Sequence, residues 1–248
     1  MLGIIGGSGL TSLANLEVSR RLIVRTPYGE PSGALTFGRI RSREIVFLAR
    51  HGYGHTIPPH EVNYRANIWA LQAQAVKNVV SVASVGGIRA DLGPGTLVVP
   101  DQIIDYTHGR QSTYSSALDR TVTHIDFTRP YCEPLRQRLI KAARMAGEAI
   151  VAGATYAATQ GPRLETAAEI DRLERDGAHI VGMTGMPEAA LARELGLCYA
   201  AVAVVVNPAA GRGSSAQAVR LADISEVSRG AMARARAILD HLVTLDGD

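Results

Sequence analysis

Five short runs of aliphatic and β-branched residues constrain this chain more than any other feature. They are Leu2 to Ile5, Ile45 to Ala49, Val79 to Val82, Leu97 to Val99 and Tyr199 to Val206. Their apolar residues are consecutive rather than alternate, the pattern of strands covered on both faces. Interleaved with them are alanine-rich segments of helical spacing: Asn63 to Val76, Pro134 to Ala146, Thr166 to Arg175, Pro187 to Leu195 and Ile224 to Leu242. Doubly buried strands with helices between them predict an α/β fold. The expected architecture is one three-layer domain over residues 1–248, with a central mixed β-sheet flanked by helices.

The 248 residues are 46% hydrophobic and 20% charged, with a mean hydropathy of +0.06, so disorder is excluded and a sizeable core needs no disulfide or metal staple. Cys132 and Cys198 are the only cysteines. They lie too far apart in sequence for a CxxC metal pair, so reduced thiols in a cytoplasmic protein without a metal site are expected. The formal charge is +3 and the pI near 9.0. Two of the 26 basic residues are lysines, Lys77 and Lys141, and the other 24 are arginines spread along the chain. That scatter makes no electrostatic footprint for nucleic acid. No signal peptide is expected at MLGIIGGSGL, and the longest apolar run, Cys198 to Val206, is about half a membrane span. The polar stretch Asp105 to Arg129 reads either as a functional or partner-contacting excursion or as a mobile surface loop.

Ligands of open α/β sheets sit beyond the carboxyl ends of strands, so the residues just past each run are the candidates for chemistry. After the first comes Gly6-Gly7-Ser8-Gly9, which is neither a dinucleotide fingerprint nor a P-loop, because its third glycine position is Ser12 and it lacks a lysine. It reads as a plain tight turn or as an anion-holding loop. Arg50 and His51 come after the second run, and Ala83, Ser84, Val85, Gly86 and Gly87 after the third. An arginine, a histidine and two hydroxyls at strand ends suit a phosphate or a carboxylate. Taken singly, Arg50 also reads as a surface ion-pair partner and His51 as a satisfied histidine.

Six longer motifs carry a resemblance: GIIGGSGL at 3–10, TPYGEPS at 26–32, LARHGYGHTIPPHEVNYRANIWAL at 48–71, VGGIR at 85–89, QGPRLET at 160–166 and GMTGMPEA at 182–189. In this order they resemble the trimeric purine nucleoside phosphorylases from end to end, and most closely their methylthioadenosine phosphorylase branch. The resemblance implies the nucleoside phosphorylase fold and reversible phosphorolysis, in which inorganic phosphate is a co-substrate and no cofactor or metal is needed. It assigns Ser8, Arg50, His51, Ser84 and Thr184 to phosphate, with the Ala83 backbone beside them where the family usually has Thr or Asn. Met183 matches the residue beneath the ribose. A bound phosphate dianion would both stabilise an oxocarbenium-like transition state and wait in line to capture it.

Departures from the methylthioadenosine pattern concern the base. Where that branch carries Asp-x-Asp, this chain reads Asn207-Pro208-Ala209, and where it carries Phe-Ser, this chain reads Leu164-Glu165. A carboxamide offers a donor and an acceptor, matching a protonated N7 and a 6-oxo oxygen, whereas a carboxylate only accepts and therefore suits an N1–H. Both changes favour hypoxanthine or guanine over adenine. At the sugar end, the stretch Ser214 to Ser228 lacks the histidine that ordinary inosine phosphorylases place against a 5′-hydroxyl. Leu221 and Ile224 stand where the methylthio branch has an apolar wall, and leaving a hydroxyl unpaired there costs about 1–3 kcal/mol. His124 matches a residue that the family contributes from a neighbouring subunit, so the resemblance implies a homotrimer with shared sites. The combination points to phosphorolysis of 5′-methylthioinosine. Sibling reactions on inosine, guanosine or methylthioadenosine are the alternatives, as is a non-catalytic purine- or phosphate-binding protein; no nucleic-acid or membrane partner is expected.

Overall fold

All five predicted strands form, and four of them outrun their apolar cores. The computed structural model describes residues 1–115 and 122–245. In chain order its elements are β1 (Leu2–Gly6), β2 (Glu17–Leu22), β3 (Leu35–Ile40), β4 (Arg43–Ala49), α1 (Tyr64–Ala73), β5 (Asn78–Gly87), β6 (Leu97–Val99), β7 (Gln102–Asp105), α2 (Glu133–Met145), β8 (Val151–Ala152), β9 (Thr155–Ala158), α3 (Ala167–Arg175), β10 (Ile180–Gly182), α4 (Gly185–Glu194), β11 (Cys198–Pro208) and α5 (Leu221–Leu245). The strands make one mixed sheet, ordered β2-β3-β4-β1-β5-β10-β9-β7 along its main path, with β11 pairing β5 and β6, and β6 pairing β8.

β11 shows why the strand sequences are continuously apolar. Tyr199, Ala201, Ala203 and Val205 join the cluster that holds the buried faces of α1 and α4. Ala200, Val202, Val204 and Val206 join the cluster beneath α2 and α5. The pleat sends successive side chains to opposite faces, and each face meets a helical layer. The six strands absent from the sequence reading fail that test. β2 (EVSRRL) is an exposed edge strand, and β7 to β10 are each two to four residues long. β3 is largely buried, but a glycine and an arginine interrupt its apolar pattern.

Local chemistry explains the helix ends. Asn63 caps α1 by accepting from the Ala66 N–H at 3.1 Å. Thr166 and Glu169 form a reciprocal capping box at the start of α3, which satisfies two otherwise orphan donors. Met186 is extended (φ −118°, ψ 142°) inside the first turn of α4, so the regular helix begins at Pro187, where its pyrrolidine ring is tolerated.

β5 decides where a ligand can sit. Its residues Asn78 to Val82 pair in parallel with β1, and Gly86 and Gly87 pair antiparallel with β10. Between them Ala83, Ser84 and Val85 pair with β11 alone. The sheet therefore opens along one edge of β5, just past the carboxyl ends of β1 and β4. On the other side, the β11 register shifts between Val205 and Asn207, a bulge of the kind that re-aims side chains beside functional sites.

The expectation of free thiols is overturned. Cys132 and Cys198 form a disulfide with Cα atoms 5.1 Å apart and a sequence separation of 66. The Cys132 N–H donates to the Tyr199 carbonyl at 2.8 Å, so the start of α2 lies against the start of β11 and the two sulfurs meet. No described helix is long and apolar enough to cross a membrane. Part of the Asp105 to Arg129 excursion, residues 116–121, lies outside the described residues.

A link between positions 66 apart in sequence restricts the unfolded chain substantially, and disulfides typically contribute about 2–4 kcal/mol of stability. Replacing both cysteines by alanine is expected to lower the urea midpoint accordingly. Equal midpoints for wild type with and without reductant, and for the double variant, would contradict this.

Candidate active site

The opening beside β5 is a cavity of about 1040 Å³ lined by Ser8, Arg50, His51, Ala83, Ser84, Leu164, Glu165, Met183, Thr184, Asn207, Ala209, Leu221 and Ile224. These are all of the predicted site residues except His124, which is exposed and does not line this chain's cavity. Among the described residues no group of three or more His, Cys, Asp or Glu side chains is placed to hold a metal ion.

The turn after β1 enters the cavity because its glycines let it. A Cβ at Gly7 would lie 2.6 Å from both the Arg50 guanidinium and the Val82 carbonyl, and Gly9 has φ +81° against Ser228 and Met232 of α5. Side chains are thus excluded from both sides of Ser8. The Ser8 hydroxyl lies 2.8 Å from His55 Nε2, and Ser84 Oγ donates to the Ser8 carbonyl at 3.2 Å.

Arg50 is fully buried, and its neighbours account for that. Nε donates to Glu188 Oε2 at 2.7 Å and Nη2 to Glu188 Oε1 at 3.0 Å. Nη2 also donates to Ser81 Oγ at 2.6 Å and Nη1 to the Val82 carbonyl at 3.2 Å. Tyr199 donates its hydroxyl to Glu188 Oε1 at 2.8 Å. Burial opposes the arginine's charge, but the Glu188 carboxylate outweighs it and holds the pKa above the ordinary arginine value. The bidentate pair leaves Nη1 with a hydrogen to spare at the cavity wall. Far from the surface ion pair that its position allowed, Arg50 is a locked cation.

His51 is also buried, with Nδ1 2.8 Å from the Ile57 carbonyl. A carbonyl only accepts, so Nδ1 carries the proton and Nε2 is left as an acceptor. Burial, and then the charge of Arg50, lower its pKa from 6.5 to about 4. Thr184 is buried as well and lies in the segment that leads into the regular part of α4, its side chain making no capping bond. Together these groups surround a volume suited to a tetrahedral oxyanion: one fixed cation and hydroxyls at Ser8, Ser84 and Thr184.

At the other end, Thr159 Oγ1 donates to Glu165 Oε1 at 2.7 Å, which orients the carboxylate. Asn207 donates through Nδ2 to the Pro208 carbonyl at 2.6 Å, leaving one amide hydrogen and the amide oxygen for a ligand. Leu221 is 68% exposed in the isolated chain, so the apolar wall it shares with Ile224 is open on one side.

The Phosphorylase superfamily model matches residues 1–244. The chain belongs to the phosphorylase superfamily. Within it, a Pseudomonas syringae pv. tomato protein named probable S-methyl-5′-thioinosine phosphorylase is 52% identical over 97% of both chains. The 6-oxopurine nucleoside phosphorylase of Pyrococcus furiosus is 47% identical over 85% of this chain and 80% of its own. Methylthioadenosine phosphorylase from Schistosoma mansoni, in complex with adenine, matches at a TM-score of 0.94 and 35% identity, covering 99% of this chain and 91% of its own.

Sequence reasoning missed four supports of this cavity: Glu188, Ser81, His55 and Thr159. His55 and Glu188 lie inside the family motifs, but nothing in their spacing ties them to Ser8 or Arg50.

Glu188→Gln is expected to lower stability by about 3–5 kcal/mol, because it leaves the Arg50 charge buried without its counterion. Urea midpoints would show it, and a shift below about 1 kcal/mol would mean that the pair is not holding Arg50. His51 binds a proton less readily folded than unfolded, so its contribution to stability is complete above about pH 6.5 and is lost as pH falls towards 4. NMR titration of the His51 ring should show no midpoint between about pH 5.5 and 8.

Proposed function

We propose that this chain catalyses phosphorolysis of S-methyl-5′-thioinosine, releasing hypoxanthine and 5-methylthioribose 1-phosphate. The observation that carries this reading is one cavity with an oxyanion cradle at Arg50, Ser8, Ser84 and Thr184 and with Glu165 and Asn207 at its other end. Phosphate held by the cradle attacks C1′ as the C1′–N9 bond breaks. The bonding electron pair leaves on the purine, which is protonated at N7 by water, while the hydrogen phosphate gives up its own proton to solvent on becoming the ester dianion. His51, neutral at physiological pH, accepts through Nε2 from a protonated phosphate oxygen, while the Ala83 backbone closes the cradle.

Asn207 then accepts from N7–H through its amide oxygen and donates to O6, and Glu165 accepts from N1–H. Adenine offers neither an N1–H nor a 6-oxo acceptor, so it leaves two polar groups unmatched. Met183 supplies an apolar floor to the ribose, Leu164 and Ala209 border the base, and Leu221 with Ile224 faces the methylthio group. The name of the Pseudomonas syringae relative supports the same substrate. In this reading the catalytic unit is a homotrimer in which His124 reaches a neighbour's 5′ pocket and covers the exposed Leu221. The compartment we infer is the cytoplasm, on the substrate alone, since the Cys132–Cys198 disulfide removes the free-thiol argument for it.

The second reading is an inosine or guanosine phosphorylase, favoured by the open 5′ wall and by the name of the Pyrococcus furiosus relative.

Two unmatched groups at about 1–3 kcal/mol each amount to about 2–6 kcal/mol, a preference for methylthioinosine over methylthioadenosine of about one and a half to four orders of magnitude in kcat/KM. Asn207→Asp is expected to shrink that ratio mainly by losing methylthioinosine activity, and adding Glu165→Ser to release the remaining block on adenine. Equal wild-type efficiency on the two nucleosides would overturn the base assignment. Faster turnover of inosine than of methylthioinosine would select the second reading, and hypoxanthine release independent of phosphate would remove phosphorolysis altogether. Arg50→Ala is expected to raise the phosphate KM by an order of magnitude or more, and a change within twofold would remove Arg50 from the cradle.

A further inference from the structure

Beyond the end of the β9–β10 pairing, two segments turn away from the sheet and carry opposite ends of the site. The first runs from Thr159 to Glu165 and ends at the base-facing carboxylate. The second runs from Met183 to Met186 through Thr184. The sheet's last tie between them is the Thr159 N–H to the Gly182 carbonyl at 2.8 Å. Past that bond their carbonyls converge on a single side chain from the long polar excursion, Arg110.

Arg110 Nη1 donates to the carbonyls of Met183 at 2.8 Å and Met186 at 2.7 Å, and to the Tyr64 hydroxyl at 3.3 Å. Nη2 donates to the carbonyls of Gln160 at 2.7 Å and Thr159 at 3.3 Å. Nε donates to Gln160 Oε1 at 3.2 Å, and the guanidinium carbon lies 5.4 Å from the centre of the Tyr64 ring. None of these partners is a carboxylate. A charged arginine that directs its donors to four backbone carbonyls of two loops is spanning those loops, not neutralising an acid.

We propose that Arg110 is a positioning residue that sets the distance between the base-binding and ribose-binding ends of the site, an inference that rests on the roles proposed for Glu165 and Met183. Four carbonyl dipoles pointing at one another repel, and a planar fork of five N–H donors satisfies them from one point. A lysine ammonium concentrates three donors on one atom and cannot reach both loops. Thr159 passes the constraint on, because its carbonyl is held by Arg110 while its hydroxyl holds Glu165. Of the cradle only Thr184 rides on a clamped segment, while Ser8, Arg50 and Ser84 are anchored elsewhere, so loss of the clamp should raise the phosphate KM far less than it lowers nucleoside efficiency.

The test compares wild type, Arg110→Met and Arg110→Lys by thermal midpoint and by kcat with separate KM values for nucleoside and phosphate. A displacement of about 1 Å between reacting parts costs about 100-fold. We therefore expect Arg110→Met to lose about 100-fold in kcat/KM for the nucleoside, with the phosphate KM rising by less than about tenfold. Arg110→Lys should recover less than a tenth of the lost efficiency although it keeps the charge. Should the methionine variant not fold, the lysine variant carries the same comparison. Efficiencies within threefold of wild type in the folded variants would overturn the proposal, as would full recovery by lysine. A parallel rise of both KM values with a lower thermal midpoint would also overturn it, as the mark of a purely structural role. If wild type itself ignores methylthioinosine, the substrate reading fails separately, and the same ratios are read on whichever purine nucleoside it cleaves.

Discussion

The whole site depends on a backbone strand that changes partners. The first half of β5 is hydrogen-bonded to β1 and its last two residues to β10, and in between it has only β11 beside it. In a sheet buried on both faces, unpaired backbone is costly unless something polar approaches it. The gap is therefore both the weak point of the sheet and the place where a polar ligand is best received. It also lies at the carboxyl ends of β1 and β4, where the turns carrying Ser8, Arg50 and His51 emerge.

Charge at that gap is controlled from outside it. Arg50 is a fully buried cation at the cavity wall, yet its orientation comes from Glu188, 138 residues away in sequence and itself held by Tyr199. The same arginine depresses the His51 pKa, so a pair of adjacent residues ends as one permanent cation and one neutral imidazole. This division suits a phosphate dianion. The cation attracts it, and the imidazole offers an acceptor without adding a second buried charge.

Comparison of expectation with structure separates two kinds of residue. Those at the ends of long apolar runs were legible, because a buried strand must stop somewhere and the residues just beyond it are polar, glycine-rich and open to ligand. Ser8, Arg50, His51, Ala83, Ser84 and Asn207 all belong to this kind. Their supports were not legible, because each is defined by a contact between separate segments of the chain. Thr159 on Glu165 and His55 on Ser8 carry no periodicity, and Glu188 looks like any helical glutamate. The cysteines failed for the same reason: a sequence separation of 66 says nothing about α2 and β11 starting side by side.

By itself, the sequence determined the α/β class, the five doubly buried strands, the five helices and the motifs that mark the superfamily, because hydrophobic periodicity and capping chemistry act over a few residues. The tertiary structure alone decided where β5 loses its neighbour, which carboxylate locks Arg50, how Cys132 meets Cys198 and how Arg110 gathers the carbonyls of two loops. Those outcomes rest on hydrogen bonds and ion pairs between chain segments that only packing brings within about 3–4 Å, a distance at which such contacts form and beyond which they vanish.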